Sequence, residues 1–409
     1  METKTNKHFL GFAGSHFSYF FIWAIVYGYL TLWLEDIAGL NGAEAGILFS
    51  LMAGISLFFQ PVFGIVSDKL GFKKTLLAII AIAAIFIGPF FQWFFLPILE
   101  VNTYLGIIIA GIYLSFILNG GVGVIEQYIE RASWVNKFEY GHSRLGGSIA
   151  GATASFLGGQ LFIWQPNAIF WACSLSAVLL TILVVFFDKV NLSEVDNSKT
   201  ENNNKEKINT ETVLAIFKMT NFWALAFFFV GAAALYDVFD QQFLIYFQTF
   251  FTDPDQGTLI YSYTTSTQIA LEVLLMIPMP YIINKIGAKK GLLIFGAITF
   301  IRIFGSAVAP SYEYLVVFRL LAGLEMPLLL VSVMKYIDGA FDRTLYATIY
   351  MFAFNFAKQI SVFIFSTASG QMYESLGFSQ TYFILSGIVF IITIISIFTL
   401  KENKVKLKQ

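Results

Sequence analysis

Residues 234–243 read Ala-Leu-Tyr-Asp-Val-Phe-Asp-Gln-Gln-Phe and lie inside a long apolar run, Phe222 to Phe251. They carry two carboxylates and two amides, although the flanking sequence is typical of a lipid-buried helix. An acidic side chain in the hydrocarbon core costs about 2.5–3.5 kcal/mol. Asp237 and Asp240 are three residues apart, so they share one face of a helix. That face is predicted to meet basic residues of other helices or a water-filled cavity.

The composition of the whole chain indicates a membrane protein with many spans. Of its 409 residues, 57% are hydrophobic and 12% are charged, whereas soluble domains carry about 25% charged residues. The net charge of −1 gives no bulk attraction to nucleic acid. The single Cys173 leaves no pairing for an internal disulfide, and the first apolar segment is too long for a cleaved signal peptide.

Several chemistries lack support in the sequence. It has no Gly-rich loop ending in Gly-Lys-Ser/Thr that would hold nucleotide phosphates. Its three histidines are His8, His16 and His142, which argues against a metal cluster or a proton relay built on His. With no constellation of nucleophile, base or metal ligands, the chain is predicted not to be an enzyme and to use no cofactor.

Apolar segments about as long as the ~20 residues that span a bilayer recur along the chain. The predicted spans are 9–34, 43–66, 75–98, 104–130, 140–163, 167–187, 221–250, 257–283, 290–308, 312–335, 344–371 and 379–399. The stretch between the sixth and seventh spans is rich in Asn, Lys, Glu and Ser, which is typical of a flexible linker. The predicted organisation is a six-helix bundle over 1–188, a cytoplasmic linker over 189–219 and a second bundle over 220–409.

The basic residues predict the orientation of the chain. Loops that follow odd-numbered spans contain no Lys or Arg. Loops that follow even-numbered spans (with Lys290 and Lys335 at their edges), the linker and the termini contain all of the 25 basic residues except four deeper within the spans, namely Arg144, Arg302, Arg319 and Lys358. Because Lys and Arg concentrate on the cytoplasmic side, both termini are predicted to be cytoplasmic.

A repeated loop indicates that the two halves are related. The run from Pro61 to Lys74 contains Gly-x-x-x-Asp-Lys-x-Gly-x-Lys-Lys and follows span two, and a similar run from Pro280 to Lys290 follows span eight. Any cytoplasmic loop tends to be short and basic, but the first run resembles the loop signature of the major facilitator superfamily. The spacing of the two runs matches a six-plus-six duplication, as in many secondary transporters.

Depth along the spans, at about 1.5 Å per residue, predicts partners for the charges within them. Glu126 and Arg144 lie equally far on either side of Val135, in the loop between spans four and five. They are therefore expected to pair, either as a functional site or as a structural clamp at the cytoplasmic mouth.

The acids of span seven also have basic candidates at matching depth. Asp240 is predicted to pair with Arg319 of span ten, and Asp237 with Lys358 of span eleven. Because pairing offsets the cost of burial without requiring a function, structural neutralisation is the favoured interpretation of both pairs.

Three further charges lie near the middle of the membrane. Burial raises the proton affinity of a carboxyl group, and a nearby guanidinium lowers it. Glu325 is therefore predicted to carry a proton that Arg302 loads and unloads by approach and withdrawal, with another structural pair as the alternative. The basic residues within the spans are then all assigned, so Glu272 is a candidate for hydrogen-bonding a polar ligand.

These residues also identify a family resemblance. From about His8 to Leu400 the chain resembles the oligosaccharide:proton symporters, the lactose and sucrose permease group of the major facilitator superfamily. The motifs that carry the resemblance are Phe20-Phe21-Ile22, Gln60-Pro61-Val62-Phe63-Gly64, Tyr236-Asp237-Val238-Phe239-Asp240-Gln241-Gln242, Glu325-Met326-Pro327 and Met372-Tyr373-Glu374-Ser375-Leu376-Gly377-Phe378.

The resemblance, together with residue type and spacing in the spans, gives each candidate residue an expected role. Sugar binding is expected of Glu126, Arg144, Glu272, Gln268 and Asn119, and of Phe20, Trp23 and Tyr27, whose helical spacing suits stacking on a sugar although lipid contact is the simpler reading of each alone. Proton coupling is expected of Glu325, Arg302 and Tyr236. Asp237 with Lys358 and Asp240 with Arg319 would be interhelical charge pairs, and Gly46 and Gly370 match glycines where helices approach closely on the outer side.

Departures from the lactose permease pattern bear on the substrate. That pattern has a sugar-contacting Trp at Gly151, a His at Ala322 and an acid at Ile269. The run Gln268 to Glu272 instead resembles the sucrose and raffinose permeases, with the acid about one turn further along.

The sequence predicts an all-α protein of twelve transmembrane helices in two six-helix bundles. Its predicted function is proton-coupled import of a disaccharide or small oligosaccharide, of the sucrose, raffinose or galactoside type, by alternating access. The transporter is expected to work as a monomer in a bacterial-type cytoplasmic membrane. The partners would be the sugar, protons and lipid, with the proton as coupling ion. The alternatives are an uncoupled facilitator or exporter on the same fold and a non-transporting sugar sensor.

Overall fold

Helices are the local structure that this composition requires, because lipid offers no partner for a backbone N–H or C=O group. A computed structural model describes residues 9–187, 190, 216–342 and 345–401, and in that part of the chain the secondary structure is entirely helical. The predicted all-α class is confirmed.

Twelve helical segments, here α1 to α12, correspond one to one with the predicted spans in the described residues. They are α1 Phe9–Asp36, α2 Gly42–Leu70, α3 Thr75–Ile85 with Ile87–Val101, α4 Thr103–Asn136, α5 Tyr140–Trp164, α6 Ala168–Phe187, α7 Thr220–Gln241 with Phe243–Gln248, α8 Pro254–Met276 with Met279–Ile286, α9 Ala288–Ala307, α10 Tyr312–Ala340, α11 Tyr346–Ile349 through Tyr350–Phe356 to Ala357–Leu376, and α12 Phe378–Thr399.

Length and composition allow most of these helices to cross a membrane. Eight qualify as continuous helices among the described residues, and the bent segments α3 (43°) and α8 (61°) raise the number to ten. The remaining two, α5 and α11, contain many Gly, Ser and Thr residues and the charges Arg144 and Lys358. Their polar content is what a helix facing other helices or a polar site would carry.

Several helices extend past the predicted limits of their spans. The helix α4 continues to Asn136 instead of residue 130, α10 to Ala340 instead of 335, and α11 to Leu376 instead of 371. The stretch 372–378, which lies between the predicted spans 344–371 and 379–399, is therefore mostly helix. The predicted limits follow hydropathy, which marks the edge of the hydrocarbon and not the end of a helix. Two of these helices are terminated by a following residue with positive φ, Lys137 (55°) and Gly377 (82°).

Contacts divide the chain into two compact units, Met1–Gly39 with Leu51–Lys207 and Leu40–Ser50 with Ile208–Gln409. The start of α2 thus belongs to the second unit, where the Gly42 amide donates to Glu374 Oε1 (2.8 Å) and the Thr367 amide donates to Ser50 Oγ (2.9 Å). The predicted boundaries 1–188, 189–219 and 220–409 stay a prediction, since most of the linker lies outside the described residues.

In the first unit, α1 packs against α5 and α6. Trp33 of α1 is fully buried, and its indole Nε1 donates to Asn167 Oδ1 at 2.8 Å. In the second unit, α10 packs against α8 and α9, and α9 against α12. Gly291 lies against the Ser332 side chain, so the small residue allows α9 and α10 to approach closely.

The two repeated loops are each held by a basic residue from a neighbouring helix. In the first unit, Arg131 of α4 donates to the Ser67 carbonyl (2.8 Å) and to Asp68. In the second unit, Lys335 of α10 donates to the Pro280 carbonyl (3.2 Å) and to Asn284. Helices four and ten occupy equivalent places in the two halves, so this shared arrangement supports the predicted internal duplication.

Candidate functional site

A buried charge cluster in the second unit joins α7, α9 and α10. Arg302 Nη1 donates to Asp240 Oδ1 at 2.7 Å, and Arg302 Nε lies 2.8 Å from Glu325 Oε2. Arg319 Nη1 lies 2.7 Å from the same Asp240 oxygen. The side chains of Arg302 and Glu325 are 1% and 0% exposed. The structure therefore brings Asp240 and Arg319 together, and it adds Arg302 as a second partner of Asp240.

Aromatic rings surround the two guanidinium groups. The Arg302 guanidinium carbon lies 4.7 Å from the Tyr236 ring centroid and 4.8 Å from that of Phe239. Tyr236, Phe239 and Asp240 are spaced at three and four residues on α7, so they reach Arg302 from one helix face. The ring faces stabilise a cation that is removed from water.

The Arg302–Glu325 contact is close but poorly aligned. Within the described part of the chain, Arg302 Nε and Glu325 Oε2 have no hydrogen bond of normal geometry despite their 2.8 Å separation. The bond from Arg302 to Asp240 satisfies both distance and angle. The guanidinium is thus hydrogen-bonded to Asp240 and held near Glu325 by charge alone.

The other oxygen of Glu325 has a hydroxyl partner that sequence reasoning missed. Thr299 Oγ1, on α9, lies 2.6 Å from Glu325 Oε1. Thr299 precedes Arg302 by three residues, so both side chains leave the same face of α9. The spacing of three residues from Arg302 could have identified Thr299 in the sequence. It was not sufficient, because a Thr in an apolar helix is commonly a core residue that is hydrogen-bonded to the backbone of its own helix.

The second acid of α7 has a separate partner. Lys358 Nζ lies 2.7 Å from Asp237 Oδ2, and the side chains are 16% and 34% exposed. This pair lies outside the Arg302 cluster, and its greater exposure lowers the cost of carrying two charges. The structure brings these residues together, and the scaffold role of the pair stays a prediction.

Removing both charges of this pair should harm the protein less than removing either one. We expect the double variant Asp237→Asn with Lys358→Met to retain more transport activity and more folded protein than each single variant, because a single change leaves one half-buried charge uncompensated. Initial uptake rates and the yield of folded protein in membranes measure the difference. Equal losses in all three variants would contradict the scaffold role.

On α8, the predicted ligand-binding residues Gln268 and Glu272 are adjacent. The buried Gln268 amide donates from Nε2 to Glu272 Oε2 at 3.3 Å, one turn away. Gly323 of α10 lies against the Gln268 carbonyl and the Leu271 side chain. A larger residue at 323 would push α8 outward, so this glycine positions the face that carries the amide and the acid.

In the first unit, Glu126 of α4 and Arg144 of α5 form a partly accessible pair. Arg144 Nε lies 2.6 Å from Glu126 Oε1, with the side chains 37% and 24% exposed. The guanidinium carbon lies 4.1 Å from the Phe20 ring centroid. A Cβ atom on Gly147 would contact Arg144 Nη1 and the Phe20 ring, so the glycine makes room for this stack.

The remaining candidates continue along the same face of α1. Trp23 and Tyr27 have ring centroids 4.4 Å apart, and the Tyr27 hydroxyl donates to Asn119 Oδ1 at 2.7 Å. Asn119 belongs to a π-helical turn, Ser115–Gly120, a rare local structure that is frequent at functional sites. Phe20, Trp23 and Tyr27 are all half-buried, so each ring keeps an accessible part.

His16 is a neighbour of this pair to which sequence reasoning gave no role. Its Nδ1 lies 2.9 Å from Ser143 Oγ, and its Nε2 lies 3.9 Å from Glu126 Oε2, with the ring fully buried. His16 precedes Phe20 by four residues on α1 and so shares its face. That spacing was the signal that could have identified it.

Comparisons with known proteins give matches over nearly the whole chain. The family model described as LacY proton/sugar symporter matches residues 1–409. The chain is 38% identical to the raffinose permease of Escherichia coli over 402 residues, 98% of this chain and 95% of that protein. It is 40% identical to the melibiose permease of Enterobacter cloacae subsp. cloacae over 403 residues, with 98% and 94% covered.

The fold is also similar to a solved transporter structure. The nucleoside transporter NupG aligns with a TM-score of 0.80, covering 97% of this chain and 100% of that chain at 15% identity. At this identity the similarity supports the fold alone.

Proposed function

Because this chain belongs to the LacY proton/sugar symporter family, a family of membrane permeases and not of enzymes, we propose that it imports a disaccharide or small oligosaccharide together with a proton. The family places it among multi-pass permeases of the bacterial inner membrane. The proposal includes a monomer as the transporting unit, lipid as its surroundings and, from the distribution of Lys and Arg, both termini in the cytoplasm.

The observation that carries the proposal is the contrast between two acid–arginine pairs. Glu126 and Arg144 are about one-quarter and one-third exposed and lie beside half-buried aromatic rings. Carboxylate and guanidinium groups bind hydroxyls through charge-assisted hydrogen bonds, and a ring can cover the apolar face of a sugar. This pair, with Phe20, Trp23, Tyr27 and Asn119, is the proposed sugar-binding cluster of the first unit.

The second pair has the properties of a proton site. Glu325 and Arg302 are almost completely buried, so a sugar does not reach them, while a proton changes the charge of Glu325 with almost no change in volume. When Glu325 is protonated, its attraction for Arg302 falls, and Arg302 keeps its hydrogen bond to Asp240. Proton binding thereby removes the charge of one of the two acids that contact Arg302 in the described structure and leaves the pairing with Asp240, and Tyr236 supports the guanidinium through its ring.

In the second unit, Gln268 and Glu272 are the proposed sugar ligands. An amide and a carboxylate one turn apart offer donors and acceptors on a single helix face. Coupling requires that sugar and proton together favour a state that neither favours alone, since a ligand shifts an equilibrium only through its differential affinity. Alternating access is the proposed transport cycle.

The proposed substrate class is an oligosaccharide with a terminal galactosyl group. Two of the relatives are named for raffinose and melibiose, and both of these sugars contain an α-linked galactose. In this chain Gly151 stands where the resemblance places a sugar-contacting Trp, so stacking falls to the rings of α1. Uptake of radiolabelled melibiose in a transport-deficient host, competed by raffinose, lactose and sucrose, identifies the substrate.

Replacing Glu325 by Gln should separate sugar movement from proton movement. We expect Glu325→Gln to abolish uphill accumulation of sugar and sugar-induced alkalinisation of the medium, while sugar exchange across the membrane stays within about twofold of wild type, because a neutral amide cannot release a proton. The exposed Glu313 lies in the first turn of the same helix, and Glu313→Gln is the matched control. Normal accumulation by Glu325→Gln would rule out the proton role, and absent alkalinisation in wild type would favour the uncoupled facilitator.

A further inference from the structure

The Thr299 hydroxyl lies between two oxygen atoms but has a single proton. Its Oγ1 is 2.6 Å from Glu325 Oε1 and 3.0 Å from the Phe295 carbonyl oxygen. All three residues are fully buried. A hydroxyl donates one hydrogen bond and accepts up to two, so its proton points toward either the acid or the carbonyl.

We infer that Thr299 is a positioning residue for Glu325 and that its hydroxyl reverses its hydrogen bond when Glu325 gains or loses a proton. This inference rests on the proposed proton role of Glu325. In the ionised state, the Thr299 hydroxyl donates to Glu325 Oε1. When a proton from the aqueous phase forms an O–H bond at Oε1, that O–H donates to Thr299 Oγ1, and the Thr299 hydroxyl turns to donate to the Phe295 carbonyl.

Both states of the acid are then hydrogen-bonded. Protonation changes the formal charge of Glu325 from −1 to 0. On release, the O–H bond at Oε1 breaks and the proton returns to the aqueous phase. No other group gains or loses a proton in either step. The Arg302 guanidinium has its aligned hydrogen bond to Asp240 in this structure. When Glu325 is neutral, Arg302 keeps Asp240 and Glu325 keeps Thr299, so neither buried group is left without a partner.

A hydroxyl is the group that fits this place. A backbone amide at the same point could only donate and would favour the ionised acid, whereas a carbonyl could only accept and would favour the protonated acid. A hydroxyl both donates and accepts, and here the Phe295 carbonyl of the same helix is its second acceptor, so Glu325 can gain or lose a proton without rearrangement of α9. Valine has nearly the shape of threonine but can neither donate nor accept a hydrogen bond through its side chain.

The test compares Thr299→Val and Thr299→Ser in two transport modes. Uphill accumulation requires Glu325 to bind and release a proton in each cycle, whereas sugar exchange keeps the protein loaded and requires neither step. We expect Thr299→Val to lower the initial rate of uphill uptake roughly tenfold, as the loss of a hydrogen bond to a charged group implies, with exchange within about twofold of wild type. Thr299→Ser should restore uphill uptake.

Thr264 supplies a matched control, because its Oγ1 donates to the Ile260 carbonyl on α8 at 2.8 Å in the same way. Thr264→Val should leave both modes near wild type. Equal losses of uptake and exchange in Thr299→Val would mark Thr299 as merely structural, and a Thr299→Ser variant as slow as Thr299→Val would show that the hydroxyl is not the cause. Either result overturns the inference.

Glu325→Gln in the same assays separates the inference from the proposal beneath it. If Glu325→Gln accumulates sugar, the proton role fails and the inference fails with it. If Glu325→Gln loses accumulation but Thr299→Val accumulates at the wild-type rate, the proton role stands and only the role of Thr299 is overturned.

Discussion

Replacing Asp240 by Asn should abolish transport and destabilise the second unit by about 3–5 kcal/mol, the usual effect of leaving a buried charge uncompensated. Asp240 Oδ1 is 2.7 Å from a nitrogen of Arg302 and 2.7 Å from a nitrogen of Arg319. With Glu325, the cluster holds two formal negative and two formal positive charges. Without Asp240, Arg302 keeps Glu325, but the structure gives Arg319 no other acid at ion-pair distance among the described residues.

A second substitution should recover much of this loss. Arg319→Leu combined with Asp240→Asn restores a balanced cluster, Arg302 with Glu325, and places an apolar side chain beside the Phe243 and Tyr261 rings that now face Arg319. The apparent Tm of the detergent-purified protein and the folded yield measure the effect. Asp255→Asn, which neutralises an exposed acid at the start of α8, is the control. A double variant as unstable as Asp240→Asn would contradict the shared-acid arrangement.

Depth was sufficient to predict which buried charges meet. The Lys and Arg counts predict the orientation of each span, and the residue spacing then predicts the depth of each charge. Together they predict the pairs Asp237 with Lys358 and Glu126 with Arg144. The described structure brings these partners within 2.7 Å. Charge pairing is predictable because a buried ion in lipid has few ways to be compensated.

Height alone could not predict how charges are shared. Asp240 contacts both Arg302 and Arg319 because α9 and α10 lie side by side, and the rotation of each helix about its axis depends on packing that composition does not encode. The contacts of Thr299 and His16 could not be predicted for a related reason. A polar residue without a charge in an apolar helix is ordinarily explained as a core residue with a local hydrogen bond. Only its position beside Glu325 or Glu126 in the structure indicates a further role.

The π-helical segments within the helices could not be predicted from the sequence either. The π-helical segments Phe229–Ala233 and Tyr350–Phe356 directly precede the helical turns that carry Tyr236 and Lys358. A π turn shifts the residues after it around the helix relative to a regular α-helix. Because neither apolar periodicity nor charge spacing marks such a turn, the faces of α7 and α11 could be predicted only approximately.

Replacing Arg144 by Lys should weaken sugar binding by roughly 100-fold, the scale of one or two lost hydrogen bonds to charged groups. The Arg144 guanidinium meets Glu126 through Nε while its plane lies over Phe20. Lysine has a single ammonium group in place of the planar fork, so it cannot hold the carboxylate, stack on the ring and present further N–H groups to a hydroxyl at the same time. The charge is unchanged, so the loss would report geometry.

Arg131 gives the matched control for this prediction, because it lies on α4 close to the repeated loop and pairs with Asp68. Arg131→Lys should leave the equilibrium affinity for sugar within about twofold of wild type, even if it slows transport by loosening the loop. Affinity measured on purified protein, by sugar protection of a reporter cysteine or by direct titration, distinguishes the two variants. We expect Arg144→Lys to lower the affinity because the Glu126–Arg144 pair is partly exposed. A charge pair in contact with water can replace its hydrating water by sugar hydroxyls. The Arg302–Glu325 pair is buried and cannot do so. Wild-type affinity in Arg144→Lys would remove the first unit's pair from the binding site and leave it as the structural clamp that the sequence also allowed.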